Sequence, residues 1–206
     1  MADWYLMRHG ETEWNAQERV QGQTDVPLSD VGRKQAAGTA ARLASCHFGA
    51  VYASDLSRAQ ETARIMVAAL RNGPREILLR ESLREIAYGV LEGSMWSAVR
   101  SLTGELRNFQ GTYHDLDLKP EGGESFRELL DRLGGFAREL EASHPDEDVL
   151  VVGHGGSLRA LAVMLLGLPV DAFWRLRGLL PASVSIVRHE EGFSVLTSWN
   201  DTGRPA

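Results

Sequence analysis

Arg8-His9-Gly10-Glu11-Thr12 stands directly after the apolar run Trp4-Tyr5-Leu6-Met7. Arginine is a permanent planar cation whose N–H fork suits phosphate oxygens, and histidine can attack or carry protons near neutral pH. So short an apolar run reads as a buried strand, which delivers Arg8 and His9 to its C-terminal end, where open α/β sheets hold their ligands. Two further junctions repeat the pattern. Arg58 follows the strand-like Gly49-Ala50-Val51-Tyr52-Ala53, and His154 follows Asp148-Val149-Leu150-Val151-Val152. Arg58 falls in the first turn of a helix, and His154 precedes Gly155-Gly156 and another helix start. Orphan backbone N–H groups favour anions in both settings. Alone, Arg58 reads as a solvated helix-end cation and His154 as a buried strand-end imidazole. Three equivalent junctions of a mostly parallel sheet bring all four side chains to one edge, and the chemistry they imply is phosphoryl transfer.

Such a transfer needs a proton for the leaving oxygen. Glu85, in Leu83-Arg84-Glu85-Ile86 after the strand-like Ile77-Leu78-Leu79, is the first candidate. Its apolar flanks favour the protonated form, and the arginines oppose it. The structural alternative is an ion pair from Glu85 to Arg84 or another arginine. Glu11, in the loop beside His9, is the second candidate acid. Asn15 could donate its amide to phosphate or cap that loop. His47, His114, His144 and His189 lack metal-ligand spacing and read as surface or loop residues. No metal and no cofactor is expected.

The elements that must position these groups alternate between strand and helix. Ser29 predicts an N-cap for a helix to about Leu43, and Ser57-Arg58-Ala59-Gln60 predicts a capping box opening a helix through Leu70. Residues 92–123 read as an irregular excursion over the site, in which Trp96, Phe109, Tyr113 and His114 line a pocket or pack on the core. Ser125 and Glu128 predict a second capping box before the helical stripe Phe126, Leu129, Leu133, Phe136, Leu140. Gly134 and Gly135 cost that helix about 1 kcal/mol each, which close packing would explain. A helix from Ser157 to Leu166 and an antiparallel pair, Ser183–Val187 with Phe193–Thr197, complete the chain. The expected fold is an α/β three-layer sandwich. A mostly parallel central sheet is flanked by helices, with the site at the C-terminal edge of the strands, in a single domain over residues 1–206.

A chain of 206 residues, 43% hydrophobic, can bury one sizeable core. Its net charge of −6 argues against nucleic acid or an anionic membrane as partner. The lone Cys46 excludes an internal disulfide and suits a reducing compartment. Asp3 and the Arg8-His9 pair interrupt the first apolar stretch, against a secretory leader, and the run Ala160–Leu168 is too short to span a bilayer. A cytoplasmic protein is expected, with an anionic small substrate open to it only where arginines concentrate locally against the overall sign, and with a homodimer left open.

The chain resembles the histidine phosphatase superfamily, the phosphoglycerate-mutase-like proteins, over nearly its whole length. The resemblance rests on Leu6-Met7-Arg8-His9-Gly10-Glu11-Thr12-Glu13-Trp14-Asn15, Gln21-Gly22, Ser54-Asp55-Leu56-Ser57-Arg58-Ala59, Leu83-Arg84-Glu85-Ile86, Gly122-Gly123-Glu124-Ser125 and Val152-Gly153-His154-Gly155-Gly156. It implies that His9 is the phosphorylated nucleophile, that Arg8, Arg58 and His154 hold the phosphoryl group, and that Glu85 is the proton donor. Asn15, Gln21, Gly22, Tyr88 and Gly155 are then the expected substrate contacts. Mutases of the family resemble Glu-Arg-His-Tyr-Gly around the acid and carry an excursion rich in basic residues. Here Glu85 is followed by Ile86-Ala87-Tyr88-Gly89, and the excursion holds only Arg100, Arg107 and Lys119. The phosphatase branch is therefore expected, with a phosphoglycerate mutase or a non-catalytic phospho-ligand-binding module as alternatives. The substrate class spans broad-specificity, phosphosugar, phosphoserine and α-ribazole phosphate types.

Overall fold

The structure, a computed structural model, describes residues 1–102 and 116–203. Strands β1 (Ala2–Arg8), β2 (Ala50–Ala53), β3 (Leu78–Leu79), β4 (Val149–Gly153), β5 (Val184–Glu190) and β6 (Phe193–Asp201) form a six-stranded sheet in the order β3-β2-β4-β1-β5-β6. The first four strands run parallel, and β5 and β6 extend the sheet antiparallel beyond β1. The described helices are α1 (Glu13–Ala16), α2 (Asp30–Arg42), α3 (Ser57–Ala69), α4 (Trp96–Leu102), α5 (Phe126–Ser143), α6 (Gly155–Leu165) and α7 (Ala172–Arg175).

Alternation along the central strands sorts their side chains into two cores, one on each face of the sheet. Trp4, Leu6, Val149 and Val151 pack with Leu129, Leu133 and Leu140 of α5 and Leu161 of α6. Met7, Val51, Leu150 and Val152 pack with Ala59, Ala63 and Met66 of α3. Each fully buried side chain of this size contributes about 1.5–3 kcal/mol, so the central strands are fixed from both sides. The sandwich expected from the sequence is the one observed.

Four local readings are corrected. The Ser57 capping box does not form: α3 is capped at Leu56 without a side-chain bond. Asp25 Oδ1 instead accepts the Ser57 N–H and hydroxyl, each at 2.8 Å, so a loop distant in sequence does the work of a local cap. α6 starts at Gly155 rather than Ser157, because His154 is its extended N-cap and the glycines form its first turn. The loop after β1 contains α1, closed by a reciprocal Thr12–Asn15 box. His189 lies within β5, half-buried with its ring stacked 4.6 Å from Trp4, so it is not a loop residue.

Other expectations hold. The Ser125–Glu128 box is formed in both directions, a motif worth about 1 kcal/mol. A Cβ on Gly134 would stand 3.2 Å from Met164 Cε, so close packing of α5 on α6 accounts for that glycine, whereas a Cβ on Gly135 would meet no other element within 4 Å among the described residues. His47 is exposed, and His144 follows α5 and meets Tyr52 Oη at 3.0 Å. Trp96 packs edge-on against Tyr88, with centroids 5.4 Å apart. Phe109, Tyr113 and His114 lie outside the described residues. Among the described residues no helix is long and apolar enough to cross a membrane.

Candidate active site

Arg8 pairs with Gly153 in the parallel register of β1 and β4, so His9 and His154 leave the sheet at the same level. Their rings stand 5.1 Å apart. His9 is 2% exposed, and its Nδ1 lies 2.6 Å from Gly10 O. A carbonyl only accepts, so Nδ1 carries the proton and Nε2 keeps its lone pair. Nε2 has no hydrogen-bond partner among the described residues. Burial, and then the charges of Arg58 and Arg8, hold the His9 pKa well below its ordinary 6.5. The ring is neutral at neutral pH, as a nucleophile must be.

Arg58, at 1% exposure, reaches in from the first turn of α3. Its Nη1 donates to Thr24 O at 2.9 Å, its Nη2 to Gly22 O at 2.7 Å and its Nε to His154 Nδ1 at 3.2 Å. His154 Nδ1 is therefore an acceptor, which leaves the ring proton on Nε2, donated to Ser54 Oγ at 2.9 Å. Burial pushes the His154 pKa well down and that of Arg58 to about 10, so the imidazole is neutral and the guanidinium still charged at neutral pH. Both nitrogens of His154 are thus engaged within the protein, and the ring braces Arg58.

Arg8 is anchored by one bond, from Nη1 to Leu179 O at 2.6 Å. Its Nε is buried without a partner among the described residues, 3.5 Å from where a Cβ on Gly155 would stand. Gly155 is the first residue of α6, where a backbone N–H has no intrahelical acceptor. A buried donor left without an acceptor costs about 1–3 kcal/mol, and an anion seated against Arg8 Nε and the α6 start removes that cost.

Glu85 does not pair with Arg84, which binds the Asp55 carboxylate instead. Its Oε1 accepts from Ile86 N at 3.0 Å and Ser157 N at 2.9 Å, and its Oε2 from Gly156 N at 2.8 Å. A Cβ on Gly156 would stand 2.5 Å from Glu85 Oε1, so only glycine admits the carboxylate to the start of α6. Arg132 Nη2 and Gln23 Nε2 each donate to the Glu85 carbonyl at 3.1 Å. Glu11, the other candidate acid, has Oε1 3.4 Å from Ser29 Oγ at the start of α2, and no hydrogen bond joins it to His9.

These observations decide a comparison with known proteins. Residues 4–202 match the histidine phosphatase superfamily, branch 1. The chain belongs to that superfamily. It is 38% identical over 198 residues to a metal-independent phosphoserine phosphatase of Arabidopsis thaliana, covering 95% of this chain and 80% of the relative. It is 36% identical over 197 residues to a probable phosphoglycerate mutase of Escherichia coli, covering 95% and 88%. A mycobacterial glucosyl-3-phosphoglycerate phosphatase, solved with VO3, superposes with a TM-score of 0.83 at 31% identity over 96% of this chain and 98% of that one.

In this histidine phosphatase the remaining expected contacts gather around the same loops. Asn15 Oδ1 accepts from Thr12 N at 3.2 Å, and Gln21 Oε1 accepts from Thr12 Oγ1 at 3.0 Å. The amide NH2 groups of Asn15 and Gln21 have no partner among the described residues and can donate to a ligand. Gly22 supplies the carbonyl that holds Arg58. Burial first, and then Glu85, raises the Tyr88 phenol pKa, which keeps it protonated. Sequence reasoning missed Thr62, whose Oγ1 donates to Arg58 O at 2.8 Å and accepts Gly10 N–H at 3.1 Å. Its place one turn after Arg58 was a usable signal. Ser54, Glu92 and Arg132 reach the site from other segments, and no local spacing announces them.

Proposed function

We propose that this histidine phosphatase hydrolyses small phosphomonoesters through a phosphohistidine at His9. The observation that carries the reading is a neutral imidazole whose Nε2 is unpartnered among the described residues, set beside the buried Arg58 and the half-buried Arg8. The His9 Nε2 lone pair forms the N–P bond while the ester P–O bond breaks, and Arg8, Arg58 and the Gly155 N–H stabilise charge on the phosphoryl oxygens. Glu85 protonates the leaving oxygen. Its Oε2 accepts one backbone N–H where Oε1 accepts two, so Oε2 has the lone pair that carries this proton. In the second step Glu85 takes a proton from water as its oxygen bonds to phosphorus and the N–P bond breaks, which restores His9. The positive charge is supplied by side chains of one chain, so the site is complete in a monomer or in a homodimer. We place the protein in the cytoplasm, where the lone Cys46 stays reduced.

The names of the phosphoserine and glucosyl-3-phosphoglycerate phosphatases support small phosphorylated metabolites as substrates. The Escherichia coli relative keeps phosphoglycerate mutase as the second reading. Both are tested by incubating the protein in EDTA with a panel of phosphomonoesters that includes phosphoserine, phosphosugars and 3-phosphoglycerate. The expected result is free phosphate, inhibited by vanadate, which mimics five-coordinate phosphorus. Isomerised 3-phosphoglycerate without phosphate release would make it a mutase, and activity that needs a divalent ion would overturn the mechanism.

A further inference from the structure

The structure assigns Glu92 as the positioning residue that locks Arg58 and the Glu85 segment into one unit. Four donors converge on its carboxylate, and none is a cation. Oε1 accepts from Gln23 N and Tyr88 N, each at 3.0 Å. Oε2 accepts from Thr24 N at 2.8 Å and Thr24 Oγ1 at 2.5 Å.

The two sides of this junction have different tasks. On one side, Gly22 O and Thr24 O hold the Arg58 guanidinium, and Gln23 Nε2 holds the Glu85 carbonyl. On the other, Tyr88 belongs to the segment that begins at Glu85 and ends, after a 3-10 turn over Gly89–Leu91, at Glu92 itself. The loop presses closely on the carboxylate. Gly22 has φ +55°, and a Cβ there would overlap Glu92 Oε1. No other described side chain bonds both to the loop that aims Arg58 and to the backbone just beyond Glu85 through a single carboxylate. A loop freed from this anchor lets Arg58 drift, and displacements of about 1 Å cost on the order of a hundredfold in rate.

The inference rests on the proposed roles of Arg58 and Glu85, and its test separates the two. Glu92→Gln keeps the shape but replaces one acceptor oxygen by an NH2 that cannot accept. It should lower kcat by about 10–100-fold, with KM within a few fold of the parent. Glu92→Ala leaves three backbone N–H groups and a hydroxyl pointing at one small anion site. Sodium formate should therefore restore several-fold of its lost kcat while giving no gain to the parent or to Glu92→Gln. Parental kcat in Glu92→Gln overturns the inference, and so does a folded Glu92→Ala that formate leaves unchanged. Arg58→Ala is measured beside them. An active parent with a crippled Arg58→Ala and an unaffected Glu92→Gln overturns this inference alone, whereas parental turnover in Arg58→Ala overturns the reading of the site.

Discussion

β1 and β4 are hydrogen-bonded neighbours, and each delivers a buried histidine to the same sheet edge. At the end of β1 the chain enters a loop, where His9 uses Nδ1 on Gly10 O and Arg8 Nε lacks an acceptor. At the end of β4 the chain enters α6, and all but the first N–H of that helix turn are engaged within the protein. His154 binds Arg58 and Ser54, and the Gly156 and Ser157 N–H groups bind Glu85. Burial is the leading cause of the lowered pKa in both rings. Depth therefore does not tell the two histidines apart. The acceptors and donors around each ring decide which nitrogen remains available: Nε2 of His9 is unengaged among the described residues, whereas both nitrogens of His154 are taken, and on the proposed mechanism the β1 end therefore carries the nucleophile.

The largest test of that division is His9→Ala. Loss of the nucleophile should cost at least about 10⁴-fold in turnover. It should also abolish the alkali-stable, acid-labile label that substrate phosphate leaves on the protein. His154→Ala should still take up label, only slowly. Label that persisted without His9 but vanished without His154 would reverse the assignment.

Glu85 comes next, because the β4 end presents it. General acid help is worth about 10²–10⁴-fold and matters most for poor leaving groups. Glu85→Gln should therefore cripple single-turnover phosphorylation by alkyl phosphates far more than by p-nitrophenyl phosphate. Equal losses on the two substrates would make Glu85 structural. Smaller again is the effect of Arg58→Ala, about 10²–10³-fold in kcat. If His154 acts by bracing Arg58, the double variant should be little worse than Arg58→Ala alone. Multiplying losses would show His154 to have a separate contact with the phosphoryl group.

The sequence made the strand ends legible because each lies after a short unbroken apolar run, fully buried in β2 and β4 and half-exposed in the edge strand β3. His9, Arg58 and His154 follow such runs, and Glu85 follows the third within a few residues. What the sequence did not show was the partner of each side chain. Arg84 stands next to Glu85, yet it binds Asp55, while backbone N–H groups of α6, more than 70 residues away in the chain, take Glu85. Ser57 looks like a cap, but Asp25 supplies the capping oxygen from a loop brought there by Arg58. Helix starts follow local chemistry only until tertiary contacts offer a better acceptor. The role of His154 was hidden for the same reason: its two hydrogen bonds run to residues 96 and 100 positions distant.

The smallest prediction asks whether the two rings are alike in energy even though they differ in chemistry. A histidine whose folded pKa is depressed stays neutral in the native state and gains its proton only on unfolding, so the unfolded chain binds more protons below pH 6.5. Stability is thus fully present above that pH and is lost as pH falls toward the folded pKa. Between pH 7.5 and 5.5 each such ring should remove about 1.4 kcal/mol from the unfolding free energy. Carboxylate contributions are shared by parent and variants and cancel in the difference. Urea unfolding at the two pH values should therefore show His9→Asn and His154→Asn each less pH-sensitive than the parent by about that amount, despite turnovers orders of magnitude apart. A variant with the parent's full pH dependence would mean that its histidine is charged in the folded protein. For His9 that result would remove the neutral nucleophile on which the mechanism depends. For His154 it would turn the Arg58 brace into a repulsive pair.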